Sequence, residues 1–264
     1  MAFLERPDGQ IHYEVSGEGP PLALASGLGG AGSYWNNIVP ALSRHFTVVQ
    51  HDHIGTGKSS SRRQRHSVEA LAADIDALMN HLGHGRYRYI GHSTGAAAGQ
   101  VLAAERPQAL EGLVLFAGWA GPDNHFRQCF ATRKTLLERA GVEAYNAATP
   151  LFLYPPRWIS ENADALSAMI GSSNAAAGDP TIIAQRIDMI VAFDRRASAA
   201  RISAPTLVIC AKDDFLTPPH LSKELAQLIP DARLALLDYG AHSCSQVAPD
   251  DFLGHVLPFL LQGR

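Results

Sequence analysis

The chain has little cysteine, little charge and no long apolar run, and each shortage removes a class of explanation. Its three cysteines, Cys129, Cys210 and Cys244, are an odd number at unrelated spacings in 264 residues. Neither a disulfide framework nor a metal site is written into that pattern, so no metal is expected. Charged residues make up only 18% of the chain, with 22 basic against 25 acidic side chains and no basic block. Nucleic acid is therefore not an expected partner. The longest apolar stretch, around Leu113 to Ala120, is far short of the ~20 residues needed to span a bilayer, so no membrane partner is expected. The first residues, Met-Ala-Phe-Leu-Glu-Arg, lack the basic and apolar regions of a signal peptide. A soluble, cytoplasmic protein is the expectation.

What is present suits a folded α/β domain. The hydrophobic fraction is 46%, enough for a well-buried core. Residues 2–16 read as two strands around Asp8-Gly9, a strong hairpin signal. Further strand-like runs occur at Leu22–Ala25, Phe46–Gln50, Tyr87–Ile90, Leu113–Ala117, Thr206–Ala211 and Arg233–Leu237, making eight strands in all. Helical patterns alternate with them. Residues from Tyr34 and Trp35 to about Arg44 are expected to be helical. The clearest helix runs from Ser67 to Leu82, with Ser67 as N-cap and Gly83 as its stop. Val68, Leu71, Ile75, Leu78, Met79 and Leu82 keep helical spacing along it. Pro219–Leu228 and Asp251–Leu261 are also helical, the latter with a kink expected at Pro258. Such alternation predicts a mostly parallel eight-stranded sheet with helices on both faces.

The alternation lapses between about Trp119 and Ile202. This stretch is helical in character, and one of its helices starts at Asp179-Pro180 as N-cap and first-turn proline. A helical block between two strands of one sheet reads as a lid over the carboxyl edge, where open α/β sheets bind ligands. The expected division is a core of residues 1–118 and 203–264 with a lid of residues 119–202.

Four loops at that edge carry chemistry. Tyr87–Gly99 reads as strand, Gly91-His92-Ser93-Thr94-Gly95 turn and helix, the order of a nucleophile elbow with Ser93 exposed at a helix N-terminus. A serine nucleophile needs a base, and the base needs an orienting carboxylate. His242 follows the Arg233–Leu237 strand, and Asp213 and Asp214 follow Thr206–Ala211. Asp214 is the preferred acid, Asp213 is expected to cap or face solvent, and Asp123 is the alternative. The glycine-rich loop Ser26–Gly32 follows another strand and lacks the Gly-Lys-Ser/Thr ending of a phosphate loop. Its Leu28 N–H, with that of Thr94, would meet an oxyanion. No cofactor is required. His51 and His53 stand two apart, and a His-x-His pair alone is weak evidence for a metal site.

These motifs together resemble the α/β-hydrolase superfamily, and within it the pyrimidine-utilisation protein D (RutD-like) group. The resemblance is carried by Ser26-Gly27-Leu28-Gly29-Gly30 with Gly32–Trp35, by Cys129-Phe130 with Arg133, Leu136 and Leu137, and by Pro150–Pro155 with Trp158. Cys210-Ala211 with Asp213-Asp214, and Tyr239-Gly240 with His242, complete it. The resemblance implies hydrolysis of an aminoacrylate or carbamate, with Ser93 as nucleophile, Asp214 as acid, His242 as base, and Leu28 and Thr94 as oxyanion donors. It also marks a departure: Ile54 stands where the superfamily commonly has an arginine, so a structural ion pair is expected to be absent.

The expected function is therefore a serine hydrolase acting through an acyl-enzyme on a small ester, lactone, amide or carbamate. A carboxylesterase or enol-lactone hydrolase of larger apolar substrates is the alternative. A lyase or cofactor-free oxygenase, or a non-catalytic binding protein, would use the same fold. Candidate substrate contacts are Tyr34, Trp35, Trp119, Phe130, Arg133, Tyr154 and Trp158, with Arg127 as a further carboxylate binder. The partner is a small molecule, and a homodimer through the lid is compatible with the sequence.

Overall fold

Short β-prone runs punctuated by glycine and proline become the strands of one sheet in a computed structural model that describes residues 2–262. The strands are β1 (Ala2–Arg6), β2 (Gly9–Ser16), β3 (Pro21–Ala25), β4 (Thr47–His51), β5 (Ser60–Ser61), β6 (Tyr87–His92), β7 (Leu110–Phe116), β8 (Thr206–Ala211) and β9 (Arg233–Leu237). Eight of them lie in the order β1-β2-β4-β3-β6-β7-β8-β9, and the two-residue β5 pairs with β2 outside that path. From β4 across to β9 every pairing is parallel, while β2 is antiparallel to β1, β4 and β5.

The hairpin differs from its expected register. Arg6 pairs with Gly9, so Pro7-Asp8 form the turn and Gly9 opens β2. Gly9 is pressed against β5, where a Cβ would come within 2.4 Å of the Ser60 carbonyl oxygen. Close approach, not turn geometry, demands glycine there.

Helices cover both faces. They are α1 (Val39–Leu42), α2 (Val68–His81), α3 (Thr94–Glu105), α4 (Asn124–Leu153), α5 (Pro156–Glu161), α6 (Ala163–Ala175), α7 (Pro180–Ala192), α8 (Arg196–Ala199), α9 (Pro219–Leu228), α10 (Cys244–Val247) and α11 (Pro249–Leu261). Alternation along β3 shows how they divide. Ala23 and Ala25 join a cluster with α2 and α3, whereas Leu22 and Leu24 join Trp35, Phe46, Phe252 and Val256 on the opposite face. Ser67 caps α2 by accepting from Ala70 N–H at 3.0 Å, and the face with Leu71, Ile75, Leu78 and Met79 is buried. The helix expected from Tyr34 to Arg44 is instead a 3-10 turn at Gly32–Trp35 followed by the four-residue α1. Asn36 and Asn37 favour turns, and Pro40 fits only a first helical turn, so helix begins late.

Between β7 and β8 lie α4 to α8. Asp123 caps α4, accepting from Phe126 N–H at 2.8 Å, and α4 is broken at Gly141, whose φ of 86° is not helical. Among the described residues, no helix is long and apolar enough to cross a membrane.

Candidate active site

The elbow forms because two glycines leave space that a side chain would fill. A Cβ on Gly91 would lie 2.3 Å from the Gly95 carbonyl oxygen, and one on Gly95 would lie 2.2 Å from that of Ala25. Strand β6, helix α3 and strand β3 therefore meet at backbone contact. The turn forces Ser93 to φ 53° and ψ −110°, a conformation costing about 1–3 kcal/mol that persists only where the surroundings impose it. They do so through Ser93 N–H, which donates to Phe116 O at 2.8 Å, and Gly95 N–H, which donates to Ser26 O at 3.1 Å. The buried Tyr89 hydroxyl adds a 2.7 Å bond to Gly95 O.

The strand ends of β8 and β9 bring the other two groups together. Asp214 Oδ2 accepts from His242 Nδ1 at 2.9 Å, with both side chains fully enclosed. Asp214 Oδ1 accepts the N–H groups of Leu216 and Thr217, each at 2.9 Å. The Thr217 hydroxyl lies 2.9 Å from Asp214 Oδ2, 3.1 Å from His242 Nδ1 and 3.1 Å from Ala117 O. These bonds keep the carboxylate aimed at one ring nitrogen. Asp213 serves differently: it caps the loop by accepting from Gly240 N–H at 3.2 Å and Ala241 N–H at 2.8 Å. Asp123 is occupied at the α4 cap and by His220 Nε2 at 2.6 Å.

His92, between the elbow's first glycine and Ser93, joins the two halves. Its Nε2–H donates to the His242 carbonyl at 2.9 Å, and the two imidazole rings are 4.8 Å apart. Tyr34 stacks on His92 at 4.6 Å with the planes 3° apart. Burial, reinforced by His242, pushes the His92 pKa well below the ordinary histidine value, so the ring stays neutral.

The glycine-rich loop abuts the elbow. A Cβ on Gly27 would lie 3.4 Å from Ser93 Cβ. Gly30 N–H donates to Gly27 O at 3.0 Å, closing a turn. Among the described residues neither Leu28 N–H nor Thr94 N–H has an acceptor. Two free backbone donors beside a serine at a helix N-terminus can receive negative charge. The loop also carries the order Gly27-x-Gly29-x-x-Gly32. Only a 3-10 turn follows it, not the helix on which a dinucleotide's pyrophosphate rests.

A family model described as alpha/beta hydrolase fold matches residues 20–245. The chain belongs to that family. A protein of Azorhizobium caulinodans named "Putative carbamate hydrolase RutD" is 39% identical over 259 residues, covering 98% of each chain. A solved hydrolase from Pseudomonas aeruginosa PA01 has a TM-score of 0.89 and 30% identity over 98% of both chains. The enol-lactonase from Burkholderia xenovorans LB400 has a TM-score of 0.90 and 27% identity, over 98% of this chain and 99% of that one. The chain is a hydrolytic enzyme.

The candidate substrate contacts fall into separate environments. Trp35 is fully buried in the core cluster with Ile38, Leu42 and Phe46. Tyr34 bonds Ser245 Oγ at 3.1 Å, and Tyr154 bonds Gln246 Oε1 at 2.5 Å while stacking on the partly exposed Trp158 at 4.6 Å. Trp119 and Phe130 each pack 4.6 Å from Phe126. Arg133 is buried among the rings of Phe130, Tyr145 and Phe152, with its guanidinium carbon 5.0–5.5 Å from their centres. It donates to Tyr145 OH at 2.8 Å. Arg127 is exposed and donates to the Val191 carbonyl at 3.3 Å.

Two further points concern the segment after β4. That strand ends at His51, and the His51 and His53 ring centres lie 5.3 Å apart. Ile54 is packed in the core beside the hairpin, and Asp52 accepts instead from His12 Nδ1 at 3.0 Å, Gly32 N–H at 2.8 Å and Lys58 N–H at 2.9 Å. His92, Thr217 and Arg186 were not singled out by sequence. Arg186 reaches from α7 to Leu28 O at 3.0 Å and His53 Nδ1 at 2.8 Å.

Proposed function

We propose that this enzyme is a serine hydrolase that cleaves a small carbamate, amide, ester or lactone through a Ser93 acyl-enzyme. One observation carries the reading above the others. A buried Asp214–His242 pair at 2.9 Å is tied through His92 to a serine held in a strained conformation.

In the cycle, His242 Nε2 takes the Ser93 hydroxyl proton as Oγ bonds to the substrate's carbonyl carbon. The carbonyl electrons move to oxygen, and that oxyanion is received by the N–H groups of Leu28 and Thr94. Asp214 holds the ring through Nδ1 and stabilises the imidazolium. When the tetrahedral species collapses, the bond to the leaving amine or alcohol breaks and His242 gives that group its proton. Water then repeats the sequence on the acyl-enzyme, and Ser93 regains its proton. The helices of residues 119–202 act as a lid that excludes bulk water, in keeping with the burial of Ser93, Asp214 and His242.

Carbamate cleavage is supported by the relative named for it. Lactone cleavage is a second reading, supported by the likeness to an enol-lactonase and by a serine site suited to good leaving groups. A panel of aryl esters, enol lactones and small carbamates separates them. The reading expects turnover of at least one class, abolished in Ser93→Ala. Equal turnover by Ser93→Ala would point to lyase or oxygenase chemistry and would overturn it.

A further inference from the structure

Arg186 is a buried cation with no carboxylate partner among the described residues. It is 2% exposed, and its hydrogen bonds go to neutral acceptors, Leu28 O at 3.0 Å and His53 Nδ1 at 2.8 Å. Burial pushes its pKa down only to about 10, so the guanidinium remains charged at neutral pH. His53 must accept at Nδ1 and therefore carries its proton on Nε2. Burial first, and Arg186 second, hold its pKa well below the ordinary value. Keeping a charge out of water without a counter-ion is unfavourable, so its position calls for a use.

The use is visible in the peptide units around Leu28. The Gly27 carbonyl and the Leu28 N–H belong to one planar unit, which the Gly30 N–H bond to Gly27 O holds from one side. The next unit begins with the Leu28 carbonyl, and Arg186 holds it from the other side with a charge-assisted bond. His53 closes the ring: its backbone N–H donates to Gly30 O at 2.8 Å while its Nδ1 accepts from the guanidinium. Arg186 lies on α7, so the clamp links the inserted helices to the loop beside Ser93.

We infer that Arg186 is a positioning residue: seating of α7 brings its guanidinium onto the Leu28 carbonyl and so orients the Leu28 N–H toward the oxyanion. This rests on the serine-hydrolase reading above. The requirement applies to every substrate alike, with or without a carboxylate of its own.

The test uses the full chain and a neutral aryl acetate, together with the rate of Ser93 phosphonylation by a neutral aryl phosphonate, which loses its aryloxide and whose P=O needs the same two N–H donors. Arg186→Ala is expected to lower kcat and the phosphonylation rate about 10- to 100-fold, with KM nearly unchanged, as misplacement near reacting atoms does. Added guanidinium ion is expected to restore part of both. Should Arg186→Ala not fold, His53→Leu, which removes the guanidinium's second anchor, is expected to slow phosphonylation, and His53→Asn, whose Oδ1 can replace Nδ1, to recover most of it. Unchanged rates in folded variants would overturn the inference, as would a loss confined to KM for acidic substrates. If the unaltered enzyme were itself not phosphonylated, the serine-hydrolase reading would fall first, and the inference with it.

Discussion

Oδ2 of Asp214 lies 2.9 Å from Nδ1 of His242, although 28 positions separate the two residues in the chain. The bond fixes which imidazole nitrogen faces the carboxylate and, in the proposed cycle, leaves Nε2 for the serine proton. Asp214→Asn preserves volume and the acceptor for Leu216 and Thr217 but favours the wrong tautomer. Its kcat is expected to fall on the order of 10⁴-fold with little change in thermal midpoint. A loss under tenfold in steady-state assays would show that Asp214 does not orient the base.

The elbow and the His242 loop are joined by His92, so removing its Nε2 should loosen His242 without touching Ser93. His92→Phe keeps a ring against Tyr34 and leaves the His242 carbonyl without its 2.9 Å partner. The expected cost is about 1–3 kcal/mol of stability and roughly tenfold in kcat. Urea titration and steady-state kinetics check the two separately.

The parts of this candidate site are legible in the sequence because each is local. A glycine-flanked serine between strand and helix, and an acid and a histidine each just past a strand, are spacings within a few residues. The helix at Val68–His81 was legible for the same reason, its cap and its buried face being periodic. The register of the hairpin was not, because the contact that requires Gly9 comes from Ser60. Nor were the partners of His92 and Arg186, which lie 150 and 158 positions away. Local patterns locate loops at an edge; only packing decides which distant carbonyl meets which donor.

Backbone contact at the elbow makes Gly95 intolerant of even one carbon. Gly95→Ala would place Cβ 2.2 Å from the Ala25 carbonyl oxygen. Strand and helix would have to part, at about 3 kcal/mol or more. A large drop in unfolding midpoint together with lost activity is the expected result. An unchanged midpoint would mean that β3 and α3 are not in contact at this point.

Acid should destabilise the fold before its carboxylates titrate. Burial depresses the pKa of His51 to about 4 from an ordinary 6.5, and holds those of His53 and His92 well below the ordinary value too. Below about pH 6.5 the unfolded chain takes up protons that the folded one refuses. Stability is therefore full above that pH and lost as pH falls toward 4. The steepest slope is about 1.4 kcal/mol per pH unit for each histidine. Urea midpoints measured from pH 7 to pH 4.5 are expected to fall steadily; a flat profile would mean that these rings protonate within the folded state.

The central claim is that Ser93 becomes covalently acylated. Intact-mass measurement after treatment with a fluorophosphonate tests it most directly, with Ser93→Ala treated in parallel. The account predicts one adduct per chain, mapped to the peptide containing Ser93 and lost in the variant. A folded enzyme that stays unmodified, or a variant that labels as fast as the parent, would contradict it.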